Sequence, residues 1–106
     1  MTTGDYVLAA DVSELGPGDM KVVDVHGARV AIGNVAGAYV AFGNECTHDG
    51  GPLVEGQLDG DVVTCPWHFS RFCVRSGRVV DSPAEDPIPV YDVKVEGTSI
   101  FVGVPR

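Results

Sequence analysis

The segment from 44 to 73, NECTHDGGPLVEGQLDGDVVTCPWHFSRFC, holds two short motifs that each combine a cysteine with a histidine. The motifs are Cys46-Thr47-His48 and Cys65-Pro66-Trp67-His68, with sixteen residues between His48 and Cys65. A histidine two or three positions after a cysteine lets one loop direct a thiolate and an imidazole at the same centre. We therefore predict that these two cysteines and two histidines together bind a metal centre.

Each motif follows a run of strand-forming residues, so we expect neighbouring hairpins to place the two loops side by side. Gly50-Gly51-Pro52 and Pro66 bend the backbone near the motifs. Such bends allow amide groups to face a sulfur-rich anion instead of pairing in a sheet.

Short β-branched runs occur along most of the chain, and glycine-containing turns separate them. No window shows sustained helical spacing, although residues 11–15 resemble a single capped turn. The pattern indicates an all-β antiparallel fold, either a sandwich or a small barrel. The predicted strands are Lys21–Val25, Ala28–Val35, Ala38–Phe42, Val62–Thr64, Arg78–Val80, Val90–Val95 and Ser99–Val102.

A length of 106 residues allows one small domain, and no linker or repeat interrupts it. The formal charge of -8 disfavours nucleic acid and anionic lipid as partners and favours basic protein surfaces, although solubility alone also explains an acidic surface. The first five residues carry no basic start and precede no long apolar run. We therefore expect no signal peptide, no membrane span and a cytoplasmic location.

The ligand pattern and its surroundings resemble the Rieske family, and more narrowly the ferredoxins of bacterial aromatic-ring dioxygenases such as the biphenyl and toluene systems. The resemblance covers nearly the whole chain. Residues 65–77 resemble the second cluster loop of those ferredoxins, and residues 83–102 resemble their proline loop and last hairpin. The resemblance implies an antiparallel β-sandwich with a small cluster-binding subdomain, in a single domain over 1–106 with cluster-binding loops at about 44–54 and 64–73.

By this resemblance the cofactor is one Rieske-type 2Fe-2S cluster. Cys46 and Cys65 would bind a buried iron, while His48 and His68 bind the second iron near the tip. The implied role is a one-electron carrier between a flavoprotein ferredoxin reductase that oxidises NADH and a terminal oxygenase. The chain itself would not be an enzyme and would have no small-molecule substrate of its own.

The chain departs from high-potential Rieske proteins of respiratory complexes, which carry a further cysteine in each loop where this chain has Gly51 and Trp67. Those proteins also have tyrosine at the position of Phe72, although Ser70 is retained. Fewer hydrogen bonds to the cluster imply a potential near the low end of the Rieske range, which spans about -150 to +300 mV.

Two alternative interpretations remain at this point. The small subunit of an assimilatory nitrite reductase shares the Rieske-like fold and sometimes lacks the cluster ligands, whereas all four are present here. The same four residues could instead hold one structural zinc ion in a binding module, because cysteine and histidine suit zinc well.

Several residues near the motifs also have alternative interpretations. Cys73 is expected to be a small buried side chain in the strand after the second loop rather than a ligand. His26 is expected to be a solvated turn residue. Trp67 could shield the cluster, line a docking surface or pack against its loop. Asp49 could contact a partner or accept a local hydrogen bond.

Overall fold

The computed structural model describes residues 6–103, and its regular secondary structure consists almost entirely of ten antiparallel strands in two sheets. Within this range no helix is long or apolar enough to cross a membrane. The strands are β1 (Tyr6–Asp11), β2 (Met20–Val25), β3 (Ala28–Val35), β4 (Ala38–Gly43), β5 (Gln57–Asp59), β6 (Val62–Thr64), β7 (Arg71–Cys73), β8 (Val79–Asp81), β9 (Val90–Glu96) and β10 (Ser99–Gly103).

The larger sheet has six strands in the order β1-β10-β9-β4-β3-β2. Tight two-residue turns join β2 to β3 and β3 to β4. In the first, His26 and Gly27 have φ of 52° and 84°; in the second, Ala36 and Gly37 have φ of 52° and 95°. Positive φ at both central positions matches the right-handed twist of the flanking strands. The predicted hairpins over 21–42 are therefore confirmed.

The smaller sheet has four strands of three residues each, in the order β5-β6-β7-β8. It packs against the larger sheet through a shared apolar core, in which Ala31, Val35 and Phe42 of the larger sheet meet Leu58, Val63 and Phe72 of the smaller one. This arrangement confirms the predicted all-β Rieske-type architecture and identifies the smaller sheet as the small subdomain.

A second core lies within the larger sheet, which curls so that β1 approaches β2. Strands from both ends of the sheet contribute to this core, for example Val25, Val30, Ile100 and Val102. The curl buries one face of the sheet upon itself, because a twisted six-stranded sheet can fold partly toward a barrel. The two alternatives of sandwich and barrel thus describe different parts of one molecule.

The two short 3-10 turns lie at Val12–Glu14 and Leu53–Glu55. The first confirms the capped turn predicted at 11–15. The Asp11 side chain accepts a hydrogen bond from the Ser13 amide (2.9 Å), and the Glu14 side chain accepts one from the Asp11 amide (2.7 Å). This reciprocal arrangement is a capping box, which satisfies amide groups that the short helix leaves unpaired.

Candidate metal centre

The first candidate loop leaves the larger sheet at the end of β4 and enters the smaller sheet at β5. Asn44, which is 5% exposed, closes the base of this loop. Its carbonyl accepts a hydrogen bond from the Leu53 amide (2.7 Å), and its side-chain oxygen accepts one from the Val54 amide (2.9 Å). One buried residue therefore holds the two ends of the loop together.

The second candidate loop is the connection between β6 and β7, within the smaller sheet. Only the second loop therefore connects two strands of one hairpin, whereas the first loop connects the two sheets. The prediction of two neighbouring hairpins is wrong for the first loop. They nevertheless lie side by side, because the sheets pack face to face and the first loop crosses between them.

The two loops share one backbone pattern, which the sequence did not reveal. The Cys46 amide donates to the Gly51 carbonyl (2.9 Å), and the Gly50 amide donates to the Cys46 carbonyl (2.8 Å). In the second loop the Cys65 amide donates to the Ser70 carbonyl (2.8 Å), and the Phe69 amide donates to the Cys65 carbonyl (3.1 Å). Each cysteine therefore opens a six-residue turn closed by the same two bonds.

The structure brings together all four predicted site residues and divides them by depth. Cys46 and Cys65 are buried, with 3% and 0% exposure, whereas His48 and His68 are exposed. The centroids of the two imidazole rings are 5.5 Å apart. Two thiols thus lie beneath two imidazoles at one end of the domain.

Asp49 lies between the two pairs and has a larger role in the site than the sequence suggested. One ligand atom each from Cys46, Asp49 and Cys65 lie within 4.8 Å of one another, and so do those of His48, Asp49 and His68. The Asp49 carboxylate accepts a hydrogen bond from the Gly51 amide (3.0 Å), as one of the two interpretations of this residue proposed. It also contacts His68 Nδ1 across the loops.

Local contacts set the protonation of the site. Burial opposes ionisation of Asp49, but hydrogen bonds from His68 and the Gly51 amide outweigh it and lower the pKa of this carboxyl to about 2. Burial raises the pKa of the Cys65 thiol, because the thiolate is poorly solvated at that depth. A buried thiol of this kind ionises when a metal supplies a compensating positive charge.

The space around Gly51 shows whether the site has room for a metal-sulfur group. A Cβ atom at this position would lie 2.7 Å from Cys65 Sγ and 3.1 Å from Trp67 Cδ2. Only glycine therefore leaves the space beside the thiol open. The ligand set of a Rieske cluster has histidines in place of cysteines on one of its two irons. Two buried thiols and two outer imidazoles match this ligand set, and Gly51 leaves space beside the Cys65 thiol for the cluster.

The structure also tests the expectations for three other residues near the motifs or in turns, namely Cys73, His26 and Trp67. Cys73 lies in β7 as expected and away from the four site residues, but it is only half-buried, so its predicted full burial is wrong. A hydrogen bond with the Ser76 side chain lowers the pKa of its thiol. His26 is an exposed turn residue, as expected. Trp67 is 54% exposed, which disfavours the interpretation as a packed loop residue.

Comparisons with known proteins agree with this geometry. Residues 5–92 match the family model described as the Rieske [2Fe-2S] domain. The chain belongs to this family. It therefore carries one Rieske 2Fe-2S cluster.

One curated relative is the biphenyl dioxygenase ferredoxin subunit of Pseudomonas sp. (strain KKS102). It is 40% identical over 102 residues, which cover 95% of this Rieske chain and 94% of the relative. The ferredoxin of carbazole 1,9a-dioxygenase from Nocardioides aromaticivorans IC177 superposes with a TM-score of 0.90 at 32% identity. That match covers 97% of this chain and 100% of the other.

Two further structures place the Rieske chain among its neighbours. A chain in a complex of reduced oxygenase and oxidized ferredoxin of carbazole 1,9a-dioxygenase matches with a TM-score of 0.89 and 32% identity, over 95% of each chain. A protein assigned as an NADH-dependent nitrite reductase small subunit from Mycobacterium tuberculosis has a TM-score of 0.89 at 24% identity, over 99% of each chain. The second likeness concerns the fold alone.

Proposed function

We propose that this chain is the ferredoxin of a multicomponent aromatic-ring dioxygenase, carrying one electron at a time on a cluster held by the two six-residue loops. The observation that carries the proposal is the division of the site into two buried cysteines and two exposed histidines. In this proposal the buried Cys46 and Cys65 hold an inner iron, and the exposed His48 and His68 hold an outer one. The cluster-binding loops are those at about 44–54 and 64–73.

The residues of the chain make this site suitable for electron transfer. The bound cluster supplies a reversible one-electron couple. The apolar core beneath Cys46 and Cys65 excludes water from the sulfur side, while the two imidazoles face solvent, where a partner can approach. Electrons therefore enter and leave on the histidine side.

The proposed partners are a flavoprotein reductase that oxidises NADH and a terminal oxygenase. The relative at 40% identity is a dioxygenase ferredoxin subunit, and a 32% identical chain occurs in a complex of oxygenase and ferredoxin. The acidic sequence suits brief, salt-sensitive contacts with such partners. The proposed location is the cytoplasm, where NADH-dependent reductases operate.

Sequence identity disfavours the alternative that the chain is a nitrite reductase small subunit. Its representative shares the fold at 24% identity, whereas the ferredoxins match at 32% and 40%. A structural zinc ion is disfavoured by Gly51, since a single tetrahedral ion needs no open floor beside Cys65 Sγ.

Electron paramagnetic resonance of the dithionite-reduced protein, together with metal analysis, tests the proposal. We expect about two irons per chain and a signal whose mean g value is lower than that of all-cysteine clusters. Replacing His68 by Cys should lower the midpoint potential, because a thiolate adds negative charge. One zinc per chain with no signal would remove the electron-carrier proposal altogether.

A further inference from the structure

Phe69 is the most exposed large apolar side chain of the described residues, at 67%. Its backbone is also unusual, since its φ of 66° lies in the left-handed region. The equivalent position in the first loop is Gly50, with φ of 77°. A bulky residue at positive φ is disfavoured, and such strain is a reason to look for function. The second loop thus retains a phenylalanine where glycine would satisfy the same turn.

The Phe69 ring borders a surface groove of about 270 Å³ next to Cys65. Pro66 forms another part of its wall, and Glu55 and Gln57 provide its polar edge. Glu55 is exposed and forms no ion pair with any described residue. The groove therefore combines an aromatic face with an uncompensated carboxylate, which is the environment that a basic side chain prefers.

Three loop segments at this end of the molecule carry charges of one sign, although Arg29 lines the cleft beside the first loop and Arg71 follows the second segment. Segments 44–57, 65–70 and 82–89 contain five carboxylates and no lysine or arginine. The third segment is held against the first loop, because the Thr47 hydroxyl donates to the Asp86 carbonyl (2.6 Å). Elsewhere, Lys21, Arg71, Arg75 and Lys94 each lie in an ion pair. The cluster end thus presents a negative field that steers a basic partner.

A larger cleft of about 570 Å³ lies beside the first loop, but it is less suited to a basic partner. Arg29 and Glu45 both line it, so positive and negative charges occur together there. Its lining also lacks Trp67 and Phe69, the two exposed aromatic residues that flank His68.

We propose that the groove between Phe69 and Glu55 receives a lysine or arginine side chain of the redox partner, and that this side of the cluster end is the docking surface. The inference rests on the proposed electron-carrier function. The alkyl stem of the partner residue packs on the Phe69 ring, and its cationic head pairs with the Glu55 carboxylate. Docking there places the partner against His68, one residue from Phe69.

Mitochondrial cytochrome c, a basic haem protein with lysines around its exposed haem edge, is a suitable probe. The reduced ferredoxin is mixed with the oxidised cytochrome in a stopped-flow instrument, and the second-order rate constant is measured between about 0.01 and 0.15 M ionic strength. Phe69→Gly removes the ring and also relieves the strain at positive φ, so it keeps the loop intact. We expect this variant to react about tenfold more slowly at every ionic strength.

Glu55→Lys should also slow the reaction about tenfold at low ionic strength, with a weaker dependence on salt than the wild type. Two matched controls make the same change of charge outside the groove. The first control is Glu45→Lys, at a residue that lines the larger cleft beside the first loop. The second is Glu96→Lys, at the last residue of β9. We expect each control to slow the reaction only about twofold, through the change in net charge. Metal analysis and the resonance spectrum establish that every variant retains its cluster.

The docking proposal is overturned if Phe69→Gly reacts at the wild-type rate, or if Glu45→Lys slows the reaction as much as Glu55→Lys. Sedimentation that shows a wild-type dimer abolished by Glu55→Lys would also overturn it, since a second copy would then occupy the groove. A wild-type protein that holds its cluster but reduces no cytochrome c would instead remove the electron-carrier function. The two failures are therefore distinguishable.

Discussion

Gly51 of the first loop faces Cys65 of the second, and a Cβ atom on Gly51 would lie only 2.7 Å from Cys65 Sγ. This contact is below any distance that real Cβ atoms show, so Gly51→Ala must displace either the thiol or its loop. We predict that Gly51→Ala lowers the iron content to less than about half of the wild-type value, because the ligand geometry of a cluster tolerates little displacement.

The matched control is Gly60→Ala, in the turn between β5 and β6. Gly60 has a φ of 57°, and a Cβ there meets nothing within 4 Å. This variant should lose about 1 kcal/mol of stability through backbone strain and keep its full iron content. Equal iron loss in both variants would mean that a general loss of stability, and not crowding at Cys65, controls cluster retention.

Ser70 is a second residue at which a single hydrogen bond matters. Its side chain is fully buried, and its oxygen accepts the Ala84 amide at 3.0 Å. Because the oxygen is the acceptor in that bond, its hydroxyl proton remains available for a sulfur acceptor. We predict that Ser70→Ala lowers the midpoint potential by roughly 20–60 mV, the equivalent of one ordinary hydrogen bond to the reduced form.

Protein-film voltammetry measures this shift directly. Ser76→Ala serves as the control, since the Ser76 hydroxyl accepts a 3.2 Å bond from the Arg78 amide in an exposed turn. That variant should leave the potential unchanged. An intact cluster in Ser70→Ala with an unaltered potential would show that the Ser70 hydroxyl does not interact with the cluster.

Among the elements, those with β-branched runs and glycine turns were predictable from sequence, as β2, β3, β4 and β6 illustrate. Two strands were missed, namely β1 and β5, and β7 was expected only as the strand that contains Cys73. Strands β5 and β7 have only three residues each, too few to show alternation, and they form because β6 lies between them. Strand β1 forms by pairing with β10, more than 80 residues away in sequence. Non-local pairing of this kind leaves no local signal.

Strand β9 shows how much of the burial of a strand its own sequence predicts. In the sequence, Tyr91, Val93 and Val95 alternate with polar residues, which predicts one apolar face. Tyr91 and Val93 are half-buried, but Val95 is 43% exposed. Only Val90 and Tyr91 pair with β4, so the rest of β9 extends past the end of β4 and pairs with β10 alone. Alternation identified the face, whereas the extent of burial depends on which strand lies alongside.

The capping box at 11–14 makes the stability of the fold depend on pH. A hydrogen bond from the Ser13 amide lowers the pKa of Asp11, and one from the Lys21 side chain lowers the pKa of Glu14. Carboxyls with lowered pKa values stabilise the folded state above their unfolded values of about 4, and this contribution is lost as the pH falls. We predict that Asp11→Asn is less stable than wild type near pH 6.

Urea unfolding at a series of pH values measures this difference. Asparagine can still accept the Ser13 bond, so only the charge is removed. The stability difference between the two proteins should therefore narrow below about pH 4 and vanish once both side chains are neutral. A difference that widens on acidification would contradict the assigned direction of the Asp11 shift.

At the level of the whole molecule, the sequence revealed which residues form the site but not how the site is assembled. The four cysteine and histidine residues were recognisable from their spacing, because few chemistries need two such pairs. The common backbone turn of the loops and the contact between Asp49 and His68 were not. The turn is local to each loop, but its bonds join backbone groups, which the spacing of the cysteines and histidines does not specify. The contact between Asp49 and His68 arises because the fold brings segments 46–51 and 65–70 together, and neither segment alone encodes the other's position.

The molecule has two hydrophobic cores, and they differ in the length of the strands that form them. The core inside the curled larger sheet draws on β2, β3, β4 and β10, and long strands with five or more residues surround it. The core between the sheets depends on strands of three residues and includes Cys46 and Cys65 themselves. Binding energy for the cluster is therefore coupled most directly to the order of the smaller sheet.

We predict that removing the cluster releases the smaller sheet before the larger one. Hydrogen exchange followed by mass spectrometry compares the loaded protein with chemically stripped protein and with Cys46→Ser, which lacks one proposed inner ligand. Peptides from 57–81 should lose protection in both cluster-free forms, whereas peptides from 20–35 should retain most of theirs, because local opening follows the weakest cooperative unit. Equal loss across both regions would show that the two sheets form a single cooperative unit, and the cluster would then stabilise the whole domain rather than its smaller sheet.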